Sequence, residues 1–431
     1  MMAGDTIFAL SSGAPPAAIA IIRISGQGAF NAVEALAGRI PAPRNPSLAK
    51  LYDPKDSGLL DEALLLTFPG PDSATGEDLA ELHLHGGKAV VRAVKAALEG
   101  LEGLRKAEAG EFTRRAFQNG RLDLNEADAL GDLLTAESEW QRRAAATMLG
   151  GKFGAKIEGW REEILRASAL VEADLDFSDE DDVENSNNTT ISNICDELVI
   201  DINSLLENPP VEKLHDGIRI VLGGPPNSGK STLLNALVDR DAAIVSDIAG
   251  TTRDIIEIPV ALAGIPLLFV DTAGVREKSD DEIEAIGIER AQNAFASADI
   301  ILWLGTEGEG PEHSNLVEVD SMADDPNRIR KSDDALKLSA KNGEGMATLT
   351  QRLVDIARDL LPPPDSLAIN ARQRGELAKV VDALEGATSS EDLLIAAEQL
   401  RQARLALDAL TGRAHTEDML DALFGRFCIG K

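Results

Sequence analysis

The alternation of apolar and polar residues predicts distinct domains along the chain. In the first 120 residues, short apolar runs typical of strands alternate with helical stretches, which indicates an α+β domain. The strand-like runs are Ala18–Arg23, Glu62–Phe68 and Leu79–His85, and the clearest helical run is Ala89–Leu98. From Asn125 to about Leu206 apolar residues recur at helical spacing, apart from an acidic, asparagine-rich segment, 178–188, that we interpret as a solvated loop.

The pattern changes at Gly217 and again at a run of prolines. Between Gly217 and Leu361 short apolar strands are separated by glycine turns, and Pro362–Pro364 forms a stiff break. Helical periodicity then resumes in Ala368–Gly386 and Ser389–Leu410. We therefore predict a multidomain protein in which an α/β domain is inserted into an all-α domain. The predicted segments are 1–120 (α+β domain), 121–214 (helical domain, first part), 215–362 (inserted domain) and 363–431 (helical domain, second part).

A glycine-rich turn in the inserted domain predicts a phosphate site. The segment Gly224–Ser231 fits the pattern G-x-x-x-x-G-K-[ST], follows the apolar strand Ile218–Leu222 and opens a helix, Ser231–Val238. Its glycines let backbone N–H groups face phosphate oxygens, while Lys230 reaches the β and γ phosphates and Ser231 faces Mg²⁺. The strand and helix around it disfavour a chance glycine turn.

A second motif predicts the metal side of the same site. The apolar strand Ile265–Val270 ends in Asp271-Thr272-Ala273-Gly274, where the carboxylate can hold the water shell of the metal and Gly274 can offer its N–H to the γ phosphate. Only Ala263-Gly264 separates this strand from the preceding one, Ile255–Leu262, which predicts an antiparallel hairpin. Such a hairpin is typical of GTPases, so we predict a Ras-like P-loop GTPase domain.

A threonine-rich loop, Gly250–Asp254, lies between these two motifs. Alone it reads as an ordinary loop, but its position indicates a switch segment in which Thr252 completes the Mg²⁺ shell.

Recognition of the base is predicted from two later segments. After the strand-like run Asn315–Val319, Ser321-Met322-Ala323-Asp324 stands where a GTPase usually has Asn-Lys-x-Asp. Asp324 would accept hydrogen bonds from guanine N1 and N2, and Met322 replaces a lysine stem over the base. We expect the missing Asn and Lys to weaken binding or loosen the loop. Farther on, Leu338–Lys341 matches the short loop that closes over guanine.

Composition limits the possible partners. Lys and Arg number 42 against 73 Asp and Glu, a formal net charge of −31, which repels phosphate backbones at long range. A nucleic acid must therefore be held by a local basic patch or by a partner that supplies positive charge. No run approaches 18 uncharged apolar residues and no secretory signal is visible, so we predict a cytoplasmic protein without a membrane span. Two distant cysteines argue against a disulfide framework.

Several side chains allow two interpretations. His83 and His85 alternate on one strand like metal ligands, but a surface or domain-contact role is favoured because no Cys or His cluster accompanies them. Cys195 reads as a small core residue. The adjacent basic pairs either touch phosphates of a nucleic acid or lie on solvated helix faces. These pairs are Arg105-Lys106, Arg114-Arg115 and Arg142-Arg143.

Four features together resemble the bacterial family of tRNA modification GTPases called MnmE or TrmE, over essentially the whole chain. These features are the inserted GTPase domain, the loop Asp247–Asp254, the run Gly110–Phe117 followed by Asn119–Leu124, and the terminal Cys428-Ile429-Gly430-Lys431. The resemblance implies a homodimer that forms a heterotetramer with a flavin-containing partner, MnmG (GidA). Together they modify C5 of the wobble uridine, position 34, in certain tRNAs, with a carboxymethylaminomethyl-type modification. GTP hydrolysis drives a conformational change.

The resemblance also implies further ligands. The first domain, which is also the dimerisation domain, would bind formyl-tetrahydrofolate as the one-carbon donor through Arg23, Glu81, Arg121 and Lys431. Family members often carry lysine where Arg121 stands, which keeps the charge but changes its shape. Hydrolysis would be activated by K⁺, and the matching ligands are Asn227, Ser246, Ile248 and Thr251.

The catalytic group must differ from that of Ras-type enzymes. Val275 follows Gly274 where those enzymes place a water-orienting glutamine, and valine cannot orient water. Glu284 aligns with the catalytic glutamate of the family, although its acidic neighbours also fit a solvated face. Cys428 is either a tail residue or a participant in tRNA modification.

The predicted GTP contacts, taken together, are Asn227, Ser228, Gly229, Lys230, Ser231, Thr232, Ser246, Asp247, Ile248, Ala249, Gly250, Thr251, Thr252, Asp271, Thr272, Ala273, Gly274, Asp324, Ser339, Ala340 and Lys341. Two other functions stay open at this point. One is a ribosome-assembly GTPase that binds rRNA, which the lack of a basic RNA-binding module after the GTPase domain disfavours. The other is a folate-binding or scaffold protein with a degraded nucleotide site.

Overall fold

A computed structural model describes residues 5–176, 186–241, 243–244, 256–271, 292–326, 328, 330–390, 392–413 and 417–430. Its contacts divide the chain into two compact units. The first unit contains Met1–Gly131 and Asp408–Lys431, and the second contains Asp132–Leu407. The four segments predicted from the sequence, with boundaries at 120/121, 214/215 and 362/363, divide the chain differently and stay a prediction.

One six-stranded sheet organises the first unit, in the order β3-β4-β5-β2-β1-β6. All neighbours are antiparallel except β1 and β6. The strands are β1 (Thr6–Leu10), β2 (Ile19–Ser25), β3 (Ser47–Tyr52), β4 (Leu59–Phe68), β5 (Leu79–His85) and β6 (Leu104–Lys106). Three of these strands, β2, β4 and β5, confirm runs predicted from the alternation of apolar residues.

Two helices cover the sheet of the first unit, α1 (Ala29–Ala37) and α2 (Lys88–Glu99). Their apolar side chains pack with alternate residues of the strands into one buried cluster, in which Ile22, Leu36 and Val94 are at most 1% exposed. Helix α2 confirms the predicted helical run. The remaining helices of this unit are α3 (Glu111–Gln118), α4 (Leu124–Thr135, which crosses the boundary) and α13 (Glu417–Phe424).

Aromatic packing holds the last residues of the chain to the first unit. The rings of Phe117 and Phe424 lie 6.1 Å apart, and those of Phe424 and Phe427 lie 6.2 Å apart. After them, Ile429 forms an antiparallel bridge with Ala109. Residues 427–430 are therefore fixed beside the sheet.

A seven-stranded sheet forms the core of the second unit, in the order β13-β12-β11-β7-β10-β9-β8. The five strands from β13 to β10 are parallel to their neighbours, and β9 and β8 add antiparallel pairs. The strands are β7 (Ile218–Gly223), β8 (Ala243–Ile244), β9 (Ile256–Leu262), β10 (Ile265–Asp271), β11 (Ile300–Trp303), β12 (Leu316–Asp320) and β13 (Leu336–Lys337). The predicted hairpin is confirmed as the β9–β10 pair.

Helices of the second unit either cover this sheet or pack against one another. They are α5 (Glu139–Leu149), α6 (Lys152–Asp176), α7 (Ser186–Leu206), α8 (Glu212–Asp216), α9 (Lys230–Asp241), α10 (Met346–Leu360), α11 (Ala371–Ser389) and α12 (Leu393–Thr411). Helix α7 packs between α6 and α11. None of the helices in the described part of the chain is long and apolar enough to cross a membrane.

One part of the predicted solvated loop is wrong. Helix α7 begins at Ser186, so Ser186–Asn188 are helical, and residues 177–185 lie outside the described residues. Ser and Asn are favoured at helix N-termini, where their side chains can accept a hydrogen bond from a free backbone N–H, and the same composition is typical of loops.

Helix α5 ties the inserted segment to the chain on both sides of it. The Trp140 indole Nε1 donates to the carbonyl oxygen of Pro362 at 2.9 Å, and Gln141 Nε2 donates to the carbonyl oxygen of Leu214 at 2.9 Å. The backbone N–H of Trp140 also donates to Gly264, in the turn of the β9–β10 hairpin, at 3.0 Å. The start and the end of the α/β domain therefore meet at one helix.

Candidate functional site

The glycine-rich turn joins the central strand β7 to helix α9. It needs backbone conformations that favour glycine or asparagine, with φ of +141° at Gly224, +59° at Asn227 and +98° at Gly229. A Cβ at Gly224 would also lie 2.9 Å from the backbone nitrogen of Gly305. The turn is therefore closely packed, and helix α9 directs its N-terminus to the same place, which favours an anion.

Lys230 is the cation of this turn. Its side chain is buried, and its Nζ donates to the carbonyl oxygens of Gly224 and Pro225, both at 2.9 Å. The predicted phosphate-binding lysine thus lies inside the curve of the turn. Asn227 and Thr232 are exposed around it, and the side chain of Ser228 is buried beneath the turn.

The two residues predicted at the metal are brought together. Asp271 ends β10, next to β7 in the sheet, and is 4% exposed. The Ser231 hydroxyl donates to its Oδ2 at 2.8 Å. A carboxylate and a hydroxyl are hard oxygen ligands of the kind that Mg²⁺ prefers, and few protein ligands are typical of Mg²⁺ beside phosphates. The residues present therefore fit a magnesium ion.

Ser321 shows how the unusual base-recognition segment is held. It is buried just after β12, and its hydroxyl donates to the carbonyl oxygen of Ser228 at 2.7 Å. Met322 adopts a φ of +57° and lies against Gly229. The segment is thereby fixed to the phosphate turn, whereas loss of the usual asparagine led us to expect a loosened loop.

Asp324 meets the second predicted base segment. The buried Ser339 hydroxyl donates to Asp324 Oδ1 at 2.6 Å, and the backbone N–H of Ala323 donates to the carbonyl oxygen of Leu338 at 2.9 Å. The hydrogen bond from Ser339 is the main cause that lowers the pKa of the Asp324 carboxyl, and the charge of Lys341 acts in the same direction. An ionised, oriented acceptor is what recognition of guanine N1 and N2 requires.

The first unit brings together two of the residues implied for folate. Arg23 and Glu81 face each other on β2 and β5, and Arg23 Nη2 lies 2.8 Å from Glu81 Oε1. The guanidinium of Arg23 also lies 5.9 Å from the centre of the Phe112 ring. Arg121 instead lies 3.7 Å from Asp72.

The residues after Phe427 reach the same domain from the other end of the chain. Cys428 is exposed, and the Ser11 hydroxyl donates to the carbonyl oxygen of Gly430 at 2.8 Å. Gly430 has a φ of +100°, and a Cβ there would lie 2.1 Å from the carbonyl oxygen of Leu10. No other residue type fits this position without a backbone shift.

Some predicted site residues lie outside the described residues. They are Ser246, Asp247, Ile248, Ala249, Gly250, Thr251, Thr252, Thr272, Ala273, Gly274, Glu284 and Lys431.

The two histidines and Cys195 have the following surroundings. His83 lies 3.2 Å from Glu81 and His85 lies 2.7 Å from Asp61, and the described residues contain no group of three or more His, Cys, Asp or Glu that could hold a metal ion. Cys195 is fully buried, which raises the pKa of its thiol to about 11 and keeps it protonated.

The adjacent basic pairs are mostly engaged with carboxylates. Arg105 and Arg115 both contact Glu111, which is 2% exposed. Burial raises the pKa of the Glu111 carboxyl, but hydrogen bonds from Arg105, from the backbone N–H of Glu108 and from Arg115 outweigh it and lower that pKa below its usual value. The other ion pairs are Lys106 with Glu99, Arg114 with Asp421, Arg142 with Glu139 and Arg143 with Asp365. All six of these basic side chains therefore have a carboxylate partner, and their contact with tRNA phosphate stays a prediction.

Family models and curated proteins that match this chain cover nearly all of its length. The family described as the MnmE helical domain matches residues 124–428, and the family described as the GTP-binding protein TrmE N-terminus matches residues 6–121. The tRNA modification GTPase MnmE of Erythrobacter litoralis is 56% identical over 430 residues, which cover 99% of this chain and 100% of that protein. The protein of the same name from Novosphingobium aromaticivorans is 54% identical over 435 residues, with 99% and 100% covered.

Solved structures give a much weaker likeness. The G domain of the Thermotoga maritima FeoB iron transporter is 19% identical, covers 32% of this chain and 98% of that domain, and superposes with a TM-score of 0.24. The cytosolic domain of Legionella pneumophila FeoB is 16% identical, with 49% and 94% covered and a TM-score of 0.23. The family relationship rests on the sequence matches alone.

Proposed function

The chain belongs to the MnmE family of tRNA modification GTPases, and from this premise we propose that it hydrolyses GTP to support modification of C5 of the wobble uridine in tRNA. The observation that carries the proposal is the convergence of three groups at one edge of the sheet. The turn around Lys230 would recognise the phosphates. The Ser231–Asp271 pair would hold the metal, and the Ser339–Asp324 pair would recognise the base.

The described residues suggest how the nucleotide is bound. Lys230 offers its ammonium to the β and γ phosphates in place of the carbonyl oxygens of Gly224 and Pro225. Ser231 and, from the switch segment, Thr252 hold Mg²⁺, with Asp271 orienting its water shell. When bound, Mg²⁺ neutralises charge that develops on the phosphate oxygens.

Catalysis then needs a second cation and a group that acts on water. We assign K⁺ to Asn227, Ser246, Ile248 and Thr251, and the catalytic role to Glu284, as the family resemblance implies. Asn227 is exposed on the phosphate turn, where its side-chain oxygen can reach a cation beside the phosphates.

The first unit holds the proposed one-carbon site. We assign formyl-tetrahydrofolate to Arg23, Glu81, Arg121 and Lys431, with a part in tRNA modification for the exposed Cys428. The paired charges of Arg23 and Glu81 beside the Phe112 ring form a polar surface with an aromatic neighbour, which suits a pterin. The assembly would be a cytoplasmic homodimer joined to the flavin-containing MnmG in a heterotetramer.

Measuring GTP hydrolysis by the purified chain tests the proposal. We expect hydrolysis of GTP but not of ATP, and binding of GTP and GDP in preference to ATP. Lys230→Ala should abolish hydrolysis, whereas Lys379→Ala, which removes an exposed lysine paired with Glu376, should leave it unchanged. Equal binding of GTP and ATP, or full activity of Lys230→Ala, would contradict the assignment.

A further inference from the structure

A basic groove lies on the first unit along helix α2. Its volume is about 520 Å³. Four cationic side chains and one carboxylate line it, together with a residue of β1. The residues that matter here are Lys88, Arg92, Lys95, Glu99, Lys106 and Leu10.

Three of the cations have no partner among the described residues. Lys88, Arg92 and Lys95 make no hydrogen bond or ion pair with that part of the chain, whereas Lys106 pairs with Glu99. Their spacing of four and three residues places them on one face of α2. They contrast with the adjacent basic pairs described above, most of which are neutralised by carboxylates.

Helix stability does not explain this cluster. Lys88 lies in the first turn of α2, which contains no acidic residue, and a cation there opposes the helix dipole. Like charges four residues apart, as in Lys88 and Arg92, also destabilise a helix. These positive charges therefore lower the stability of helix α2, and they occur in a protein whose formal net charge is −31.

The groove adjoins the residues proposed to act on tRNA. Leu10 lines it, and the carbonyl oxygen of Leu10 contacts Gly430, two residues after the exposed Cys428. From Lys88 to Lys95 the helix rises about 10 Å, enough to follow more than one phosphate of a nucleic acid strand.

We propose that this groove binds the phosphate backbone of the tRNA substrate and brings the nucleotide that is to be modified towards Cys428. The inference rests on the proposed function, because it takes tRNA as the substrate. RNA is the occupant favoured by charge, because a polyanion repelled by a strongly acidic protein needs a local cluster of available cations. An acidic surface of the flavin-containing partner is the competing occupant.

The test compares two triple variants of the full chain. Lys88→Ala/Arg92→Ala/Lys95→Ala removes the three available cations of the groove. Arg166→Ala/Lys379→Ala/Arg401→Ala changes the net charge equally, but at exposed positions paired with Glu163, Glu376 and Glu398. Binding of unfractionated bacterial tRNA is measured between about 50 and 200 mM salt, together with GTP hydrolysis and thermal unfolding.

We expect the groove variant to weaken tRNA binding by roughly tenfold or more, and to reduce the slope of log K against log salt by about one for each phosphate that the removed cations neutralise. GTP hydrolysis should match that of the control, and the groove variant should unfold at a temperature no lower than the control does. Equal affinity and slope in the two variants would overturn the proposal, as would a failure of the unmodified chain to bind tRNA at about 50 mM salt. Weaker binding to the flavin-containing partner with unchanged tRNA binding would overturn it in favour of a protein interface.

The outcome separates this proposal from the proposed function. Suppose that the wobble uridine is modified in cells that carry the wild-type chain. If it is modified equally well in cells that carry the groove variant, the groove assignment fails and the proposed function stands. If the unmodified chain does not support the modification, the proposed function itself fails.

Discussion

Replacing Asp324 by asparagine should change the preferred nucleotide from GTP to xanthosine triphosphate. The Asp324 carboxylate is an acceptor, held by the 2.6 Å hydrogen bond from Ser339, and guanine presents two donors, N1–H and the N2 amino group. Asparagine offers an amide donor in place of one acceptor oxygen. It therefore meets the N2 amino group with another donor, but suits xanthine, which has a carbonyl oxygen at that position.

The magnitude follows from the number of hydrogen bonds changed. A hydrogen bond to a charged group corresponds to roughly 10- to 100-fold in affinity, so loss of the bond to N2 together with a neutral instead of a charged acceptor for N1 corresponds to about 10²- to 10³-fold. Asp324 is exposed, which places the expected loss of GTP affinity for Asp324→Asn near the lower end of this range. Ser339→Ala keeps the carboxylate and removes only its orienting donor, so we expect about a tenfold loss.

Equilibrium titration with GTP, xanthosine triphosphate and ATP measures these effects. Asp324→Asn should bind xanthosine triphosphate better than GTP, while Ser339→Ala should keep its preference for GTP. Asp333→Asn serves as the control, because it changes an exposed carboxylate of the same domain that pairs with Lys337. If Asp324→Asn binds GTP as tightly as the unmodified chain does, Asp324 does not read the base.

Three further predictions concern the cation, the tail and pH. Replacing sodium by potassium should raise GTP hydrolysis if Asn227 helps to hold the cation, and equal rates in both salts would exclude that role. Deleting residues 428–431 should abolish tRNA modification with GTP hydrolysis nearly intact; survival of both activities would make them tail residues. The hydrogen bond between His215 and Asp132, at 3.4 Å, raises the pKa of His215 above 6.5, so its stabilisation is complete below pH 6.5 and is lost as pH rises through the folded pKa. The free energy of unfolding, measured with denaturant, should therefore fall most on Asp132→Asn below pH 6.5. A difference between the variant and the wild-type chain that does not change with pH would contradict the pairing.

Local patterns predicted much of the nucleotide site. The phosphate turn, the strand that ends at Asp271 and the β9–β10 hairpin are each specified by consecutive residues, because glycine turns and apolar alternation act over short distances. The sheet then brings their ends together, since the carboxyl ends of parallel strands lie at one edge.

Interactions between distant residues could not be predicted in this way. Ser321 compensates for a missing asparagine by bonding to the carbonyl oxygen of Ser228, 93 positions earlier, and no local pattern reveals that bond. Whether a basic side chain is neutralised depends equally on the fold, as with Arg114 and Asp421. Arg92 and Lys95 on the predicted helix Ala89–Leu98, with Lys88 directly before it, were a visible signal for the groove. The absence of carboxylate partners among the described residues emerged only from the structure.

The most direct test of the central claim is mass analysis of the wobble uridine in tRNA from cells that lack this chain. We predict that uridine 34 loses its C5 modification, that the unmodified chain restores it, and that Lys230→Ala, unable to hydrolyse GTP, does not. Full modification in the absence of the chain, or full rescue by Lys230→Ala, would contradict a GTP-dependent role in tRNA modification.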